Sequence, residues 1–419
     1  MTSRERVLAA LNHKQPDRVP IDFGSTLVSG IAASTIYRLR KALRISDEPV
    51  KVFEPVQFLG EFDDDLRKAL YSDCIGIFGK YTRFGFPNEN WKPWTTFDGA
   101  KVLVPGLFNA EPDENGDILV YPDGDRTLSP SARMPKGGYY FDSIVRQKPI
   151  EEDKLDPKDN LEDFPIISEE NLEYFRQKAE WMREKTEYAV VFTMPGTSLG
   201  NIAAVPAPWL RDPKGIRDIE EWYVSLLIRR DYIYEVFDGQ TKIALENLVR
   251  VKEALGDKID IIYLTGSDFG TQRGPLTSEE VFRDLFKPFY KKMCDWIHKN
   301  TGWKTMMHTC GGIRPLIDDI IEAGIDILNP VQTSAFGMEP RKLKEDFGDR
   351  VVFHGGGVDT QKTLPYGKPE DVYDEVKKRI EILNKGGGYI FNTIHNIQAD
   401  APAENIIAMV KAIKDSFKN

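Results

Sequence analysis

The chain has 419 residues, of which 41% are hydrophobic and 29% charged, and its formal net charge is −10. This composition is typical of a soluble globular protein, and the acidic balance argues against non-specific binding to nucleic acid or to a membrane surface. No apolar run approaches the roughly 20 residues of a membrane span, and the charged N-terminus does not resemble a signal peptide. Three scattered cysteines predict no disulfide framework, so we expect a reducing, cytoplasmic environment.

Short apolar runs along the chain predict eight β-strands. A helix over residues 3–12 precedes the first strand at 18–23, and a second helix covers 32–43. The remaining strands are predicted at 74–78, 189–193, 259–265, 305–308, 325–328, 351–353 and 389–392. From about residue 189 onward, helices separate the strands, at 281–299, 313–323, 340–347 and 369–385.

The alternation of strands and helices predicts an α/β fold with a parallel sheet. Eight strands fit a closed (β/α)8 TIM barrel that spans residues 1–419 as a single domain. An open, doubly wound sheet is the alternative, but no glycine-rich dinucleotide-binding motif follows the first strand.

The alternation is interrupted between residues 79 and 163, which are rich in proline, glycine, aspartate and aromatic residues. Within this segment, residues 117–121 and 126–128 flank a turn containing Asp-Gly, a pattern that predicts a β-hairpin. We interpret residues 79–163 as an insertion after strand 2 that lies over the C-terminal face of the barrel, as a lid or pocket wall. An extension that faces solvent is the alternative.

His308 and Cys310 give the clearest chemical signal, at the end of the fifth predicted strand and directly before Gly311. Residues two apart on a strand point to the same face, and imidazole nitrogen and thiolate sulfur are zinc ligands. The pair therefore predicts half of a metal site, with a buried cysteine beside a hydrogen-bonded histidine as the alternative. His395, at the end of the eighth strand, is the candidate third ligand, because barrel closure brings the strand ends together.

Functional residues of barrels lie at the C-terminal ends of the strands, so we predict that the polar residues there line a pocket. Asp268 and His354 are the candidate catalytic residues, because a carboxylate and an imidazole can transfer protons. Capping of the next helix is an alternative role for Asp268. The predicted substrate-binding residues are Asp22, Gln272, Gln332 and Asn392.

Several segments resemble the uroporphyrinogen decarboxylase superfamily, and within it the corrinoid-dependent methyltransferase branch. They are residues 4–11, 16–20, 268–276, 308–311 and 402–406. The resemblance implies a (β/α)8 barrel. In the methyltransferase branch a His-x-Cys pair, matched here by His308 and Cys310, and a later cysteine hold zinc. His395 occupies the place of that later cysteine.

The resemblance implies a methyltransferase in which one zinc-binding thiolate is replaced by imidazole, which leaves the metal a stronger Lewis acid. We therefore expect transfer of a methyl group from a small methoxylated compound, with an aromatic ether favoured, to Co(I) of a corrinoid protein. The corrinoid must come from a separate partner, because the chain has no Asp-x-His-x-x-Gly corrinoid-binding motif. A decarboxylase or lyase without metal and a non-catalytic barrel are the alternatives. The decarboxylase branch matches less well, because residues 22–27 contain no arginine for porphyrin carboxylates.

Overall fold

The computed structural model describes residues 1–418, and its main sheet has seven parallel strands. In chain order we label them β1 (Cys74–Ile77), β2 (Ala189–Thr193), β3 (Ile261–Thr265), β4 (Lys304–His308), β5 (Ile327–Asn329), β6 (Val352–His354) and β7 (Tyr389–Ile390). Strands that are consecutive along the chain pair in parallel, so β1 and β7 lie at the two edges. The predicted α/β class with a parallel sheet is confirmed.

The first predicted strand, at residues 18–23, forms only an isolated parallel bridge between Ile21 and Phe391. The Asp22 amide donates to the Phe391 carbonyl at 2.9 Å, and the Asp73 amide donates to the Ile21 carbonyl at 2.6 Å. Both edges of the sheet therefore contact this segment, and the sheet is curled. The segment is too short to count as a strand because Pro20 lacks a backbone donor and the chain turns at Gly24, where φ is +82°.

Successive side chains along each strand point alternately to the inside of the curled sheet and to its outer surface, and both sets are packed. Those in one buried cluster include Val191, Ile261 and Met306, and the helix Ser3–Leu11 adds Val7 to the same cluster. This helix contacts strands β1, β2 and β7. The larger cluster lies between the sheet and the surrounding helices. Packing inside the sheet leaves its C-terminal edge as the place where a ligand can bind.

Helices alternate with the strands of the main sheet, as the sequence predicts. The α-helices are Ser3–Leu11, Ala33–Ala42, Asp64–Ala69, Glu169–Lys185, Ile219–Ile228, Arg230–Leu255, Glu279–Val281, Lys287–Asn300, Ile317–Glu322, Pro340–Phe347, Thr363–Tyr366, Pro369–Leu383 and Ala403–Asp415. A π-helical turn covers Phe282–Phe286, and 3₁₀ turns cover Leu27–Ser29, Pro122–Gly124, Glu152–Lys154, Pro157–Leu161, Arg314–Leu316 and Ser416–Lys418. Of the helices within residues 1–418, none is long and apolar enough to cross a membrane.

Smaller sheets accompany the main one. One contains Val50–Glu54, Leu59–Gly60, Lys92–Thr95 and Lys101–Val104, another contains Ile118–Val120, Ala132–Met134 and Asp142–Ser143, and a third pairs Gly270–Thr271 with Gly274–Pro275. Two strands of the first sheet precede β1, so this layer starts earlier in the chain than the predicted insertion at 79–163.

The predicted hairpin exists, but its second strand was placed wrongly. Ile118–Val120 pairs with Ala132–Met134 and not with residues 126–128. The Asp125 carboxylate accepts hydrogen bonds from the backbone amide of Thr127 at 3.0 Å and from its hydroxyl at 2.7 Å. These bonds form a local turn where the sequence pattern suggested an extended strand.

Candidate metal centre

Three side chains with soft-metal donor atoms meet at the C-terminal edge of the sheet. His308 ends β4, Cys310 follows it by two residues, and His395 follows β7. Their donor atoms all lie within 4.8 Å of one another, and Cys310 Sγ lies 3.2 Å from His308 Nε2. The two imidazole rings meet edge to face, with centroids 5.3 Å apart. The structure thus brings together the three residues that were predicted as metal ligands.

The protonation states of these groups fit a site for a soft or borderline cation. Burial lowers the pKa of His308 to about 4 and also lowers the pKa of His395, so both rings are neutral and carry a lone pair near pH 7. Burial and the nearby Asp268 raise the pKa of the Cys310 thiol, and a bound cation would displace its proton. Two imidazole nitrogens and one sulfur suit Zn²⁺ better than Mg²⁺ or Ca²⁺, which prefer oxygen ligands.

The loop that carries Cys310 is held by two side chains from neighbouring loops. Asp268 Oδ1 accepts from the Cys310 amide at 2.7 Å, and Gln332 Oε1 accepts from the Gly311 amide at 2.7 Å. Gly311 has φ of +90°, and a Cβ atom there would lie 2.3 Å from the backbone of Gly270. Only glycine fits this position, so the turn fixes the direction in which the thiol points.

Asp268, a predicted catalytic residue, lies directly beside the donor atoms. Its Oδ1 is 3.8 Å from His308 Nε2, and its side chain is 21% exposed. The carboxylate therefore combines an anchoring role for the Cys310 loop with access to the site. A role in proton transfer remains a prediction.

His354, Asp22 and Asn392 were expected to line the pocket, and the structure corrects this. They are buried beneath it, with exposed fractions of 2%, 1% and 0%. His354 Nε2 lies 2.9 Å from Asp22 Oδ2, its Nδ1 lies 2.7 Å from Asn329 Nδ2, and Asn392 donates to the backbone carbonyl of Asp22. Both nitrogens of His354 are engaged, so the ring is not presented to a ligand. These side chains point into the curled sheet. A position at the end of a strand does not by itself show whether a side chain is buried there or lines the cavity.

A cavity of about 450 Å³ opens above the donor atoms. Its wall consists of Gln57, Tyr140, Gly270, Thr271, Gln272, Cys310, Gly311, Pro330, Gln332, Thr360, Gln361, Ile394, His395, Asn396 and Gln398. Gln272 and Gln332, both predicted to bind substrate, lie in this wall. Within residues 1–418, no Lys, Arg, Asp or Glu contributes to the lining.

Sequence reasoning missed several residues of this centre. Asn329 hydrogen-bonds to His308 and His354, and the signal for it was a polar residue that ends an apolar strand. Asn396 accepts from the neighbouring Gln398 and donates to Gln57. Gln57 lies in the turn between the strands Val50–Glu54 and Leu59–Gly60, and no pattern in the sequence indicated that it reaches the cavity.

The C-terminal part of the chain is similar to a known protein family. Residues 237–416 match the family model "Uroporphyrinogen decarboxylase (URO-D)". The curated uroporphyrinogen decarboxylase of Methylococcus capsulatus is 28% identical over 99 residues, which cover 24% of this chain and 26% of that protein. The corresponding protein of Magnetococcus marinus is 26% identical over 104 residues, covering 25% and 27%. The chain thus spans only about a quarter of the length of these relatives.

A solved structure is similar along almost the whole chain. It is described as a methyltransferase from Methanosarcina mazei, with a TM-score of 0.55 and 17% identity, and the match covers 99% of both chains. At this identity the likeness concerns the fold. Residues 237–416 are therefore similar to the uroporphyrinogen decarboxylase family, and the curled parallel sheet agrees with the fold of the solved methyltransferase.

Proposed function

We propose that this protein is a corrinoid-dependent methyltransferase built on a (β/α)8 barrel, the demethylase component of an O-demethylation system. It moves a methyl group from a small methoxylated substrate, preferably an aromatic ether, to Co(I) of a separate corrinoid protein. The observation that carries the proposal is the meeting of His308, Cys310 and His395, whose donor atoms lie within 4.8 Å of one another. Cys310 and His395 also line the cavity in which a substrate would bind.

The reaction breaks the bond between the ether oxygen and the methyl carbon. Both electrons of the new carbon–cobalt bond come from Co(I), and the oxygen leaves with the electrons of the broken bond. An alkoxide or phenoxide is a poor leaving group, so stabilisation of charge on this oxygen is where catalysis is needed. Zinc, when bound by His308, Cys310 and His395, would supply a Lewis acid for this purpose.

The protein's own side chains would orient the substrate and deliver a proton. Asp268 lies beside the donor atoms, with its Oδ1 3.8 Å from His308 Nε2, and it can hold the proton that the product oxygen takes up. Gln272 and Gln332 offer amide groups in the cavity wall. Tyr140 is 47% exposed and belongs to the insertion, and it brings an aromatic ring to the same wall.

The charge of the cavity favours an uncharged substrate. The side chains that line it within residues 1–418 include six amides and no ionised Lys, Arg, Asp or Glu. A substrate with several carboxylates would lose hydration there without gaining a cationic partner. A neutral methyl ether has no such cost, and its polar groups can hydrogen-bond to the amides.

The test is the spectral change from Co(I) to methyl-Co(III) in a mixture of the zinc-loaded protein, a panel of methyl ethers and a corrinoid protein. We expect the change with the wild type and its loss with Cys310→Ala. Cys294→Ala is the matched control, because Cys294 is a buried cysteine on the helix Lys287–Asn300, outside the centre. An unchanged spectrum with every ether tested would contradict the proposal.

Decarboxylation without a metal is the second candidate, and the family match over residues 237–416 favours it. This reaction would release carbon dioxide from a carboxylated substrate and would not depend on zinc. The assay follows carbon dioxide from the protein before and after removal of metal by a chelator. Metal-independent release, combined with no methyl transfer, would establish this candidate in place of the first.

A further inference from the structure

A series of buried hydrogen bonds links His308 of the candidate metal centre to Asp22, which lies in the segment 18–23 between the two edges of the sheet. It contains His308, Asn329, His354 and Asp22, whose exposed fractions are 4%, 0%, 2% and 1%. The first three residues end the successive strands β4, β5 and β6. We propose that Asn329, His354 and Asp22 are positioning residues that hold His308 in the tautomer required of a metal ligand. The proposal rests on the metal site of the proposed function.

The orientation of the Asn329 amide is fixed by a backbone group. Its Nδ2 lies 3.0 Å from the carbonyl oxygen of His354, and a carbonyl oxygen can only accept a hydrogen bond. The opposite orientation would place two oxygens against each other at this distance. The nitrogen of the amide must therefore face His354, and the oxygen must face His308.

The amide orientation dictates the tautomer of His308. Since Asn329 Oδ1 can only accept, His308 Nδ1 must carry the proton of the hydrogen bond that joins them. The lone pair then lies on Nε2, the nitrogen that faces Cys310 Sγ at 3.2 Å. Without this constraint, a neutral imidazole exchanges between two tautomers, of which only one presents Nε2 as a ligand.

The hydrogen bonds of His354 follow from the same orientation of the Asn329 amide. Asn329 Nδ2 donates to His354 Nδ1 at 2.7 Å, so His354 carries its proton on Nε2 and donates it to Asp22 Oδ2 at 2.9 Å. The Asp22 carboxylate also accepts from the hydroxyl and the backbone amide of Ser25. The Asp22 carboxylate therefore holds the His354 proton on Nε2, and it supports the amide orientation that the His354 carbonyl fixes.

The test measures Zn²⁺ affinity by competition with a chromophoric chelator. Loss of an outer partner of a ligating histidine typically weakens metal binding about 10- to 100-fold, so we expect about this loss for Asn329→Leu. We expect a smaller loss for Asp22→Leu, and near wild-type affinity for Asp22→Asn, whose amide oxygen can still accept from His354. Asn405→Leu is the matched control, because Asn405 is equally buried but donates to the carbonyls of Leu364 and Gly367, far along the chain from His308.

A second measurement does not need metal. In the metal-free protein, ¹⁵N NMR of the histidine rings should show His308 with its proton on Nδ1, and Asn329→Leu should shift it toward the other tautomer. Nδ1 protonation in the wild type with no zinc binding would refute the metal site but leave the control of the His308 tautomer by Asn329 intact. A wild-type His308 that is protonated on Nε2, or an Asn329→Leu variant that binds Zn²⁺ as tightly as Asn405→Leu, would overturn the positioning role of these residues.

Discussion

The two ends of the parallel sheet use acidic side chains in opposite ways. At the N-terminal end, an aspartate stands immediately before β1, β3 and β5, and its carboxylate accepts a backbone N–H from the preceding strand or segment. The pairs are Asp73 with Ile21 at 3.0 Å, Asp260 with Val190 at 2.8 Å and Asp326 with Thr305 at 2.9 Å. Each of these carboxylates also pairs with at least one basic side chain.

At the C-terminal end, Asp22 and Asp268 have no such cations. Within residues 1–418, neither forms an ion pair with a Lys or Arg side chain, and the basic side chains beside them are His308 and His354. At the N-terminal end, the paired charges link neighbouring strands. At the C-terminal end, the carboxylates create a negative potential that would stabilise a bound metal cation and its imidazole ligands. The comparison predicts that substitutions at the first end change stability and that substitutions at the second change metal binding.

The largest expected effect is on stability, from Asp73→Ala. The carboxylate is fully buried and holds Arg6 at 2.9 Å and Arg18 at 2.7 Å. Its removal leaves Arg18 without a carboxylate partner, leaves Arg6 with Asp17 alone and frees the Ile21 amide, so the free energy of unfolding should fall by about 3 kcal/mol. Urea titration measures the change. Asp212→Ala is the control, because the Asp212–Lys148 pair is exposed and should contribute less than about 1 kcal/mol.

The same variant also tests the division between the two ends. Folded Asp73→Ala should bind Zn²⁺ with the affinity of the wild type, because Asp73 contacts none of the three proposed ligands. A large loss of metal affinity in the folded variant would show that the N-terminal and C-terminal ends of the sheet are energetically coupled.

Cys310→Ala should lower the metal affinity and leave the stability of the metal-free protein almost unchanged. We expect the wild type to hold close to one zinc per chain after zinc supply, and the variant to bind at least about 100-fold more weakly, because a thiolate ligand is lost. The free energy of unfolding of the metal-free protein should change by only about 1 kcal/mol. Elemental analysis and chelator competition measure the first quantity, and urea titration the second. Equal zinc content in both proteins would contradict the assignment.

Much of the fold could be predicted because its strands are short, apolar and separated by amphipathic helices. β2 has the predicted bounds, and the helix Pro340–Phe347 agrees at both ends. The predictions failed where pairing depends on distant partners. The segment around Ile21 looks like a strand in sequence, but only its contacts with the two sheet edges define its role.

For the candidate metal centre too, some residues could be predicted from the sequence and others could not. His308 and Cys310 could be predicted because a period of two on a strand fixes their common face, and His395 followed from barrel closure and from the resemblance. The depth of each strand-end residue could not be predicted, because the turn after the strand decides whether a side chain points into the sheet or toward the mouth. Asp22 and His354 therefore lie beneath the cavity, whereas Gln272 lies in its wall.

The smallest expected effect concerns Asp17, at the N-terminal end of the sheet. There the burial of an ion pair, and not its charge alone, should set how much the pair contributes to the free energy of unfolding. Asp17 also pairs with Arg6, at 2.7 Å, but its side chain is 42% exposed. The hydrogen bond from Arg6, with a weaker contribution from the N-terminal ammonium group, lowers the pKa of Asp17 to about 2. Because solvent screens an exposed pair, Asp17→Asn should destabilise the protein far less than Asp73→Ala.

The pH dependence of this small effect has a definite sign. A carboxyl group whose pKa is lower in the folded state stabilises that state above its unfolded pKa of roughly 3.9. The stabilisation is lost as the pH falls through about 2, the pKa of Asp17 in the folded protein. Urea titrations should therefore show wild type and Asp17→Asn differing at neutral pH and converging between these two pKa values. A difference that does not shrink over this window would mean that Asp17 acts through packing, and burial would no longer explain the contrast with Asp73.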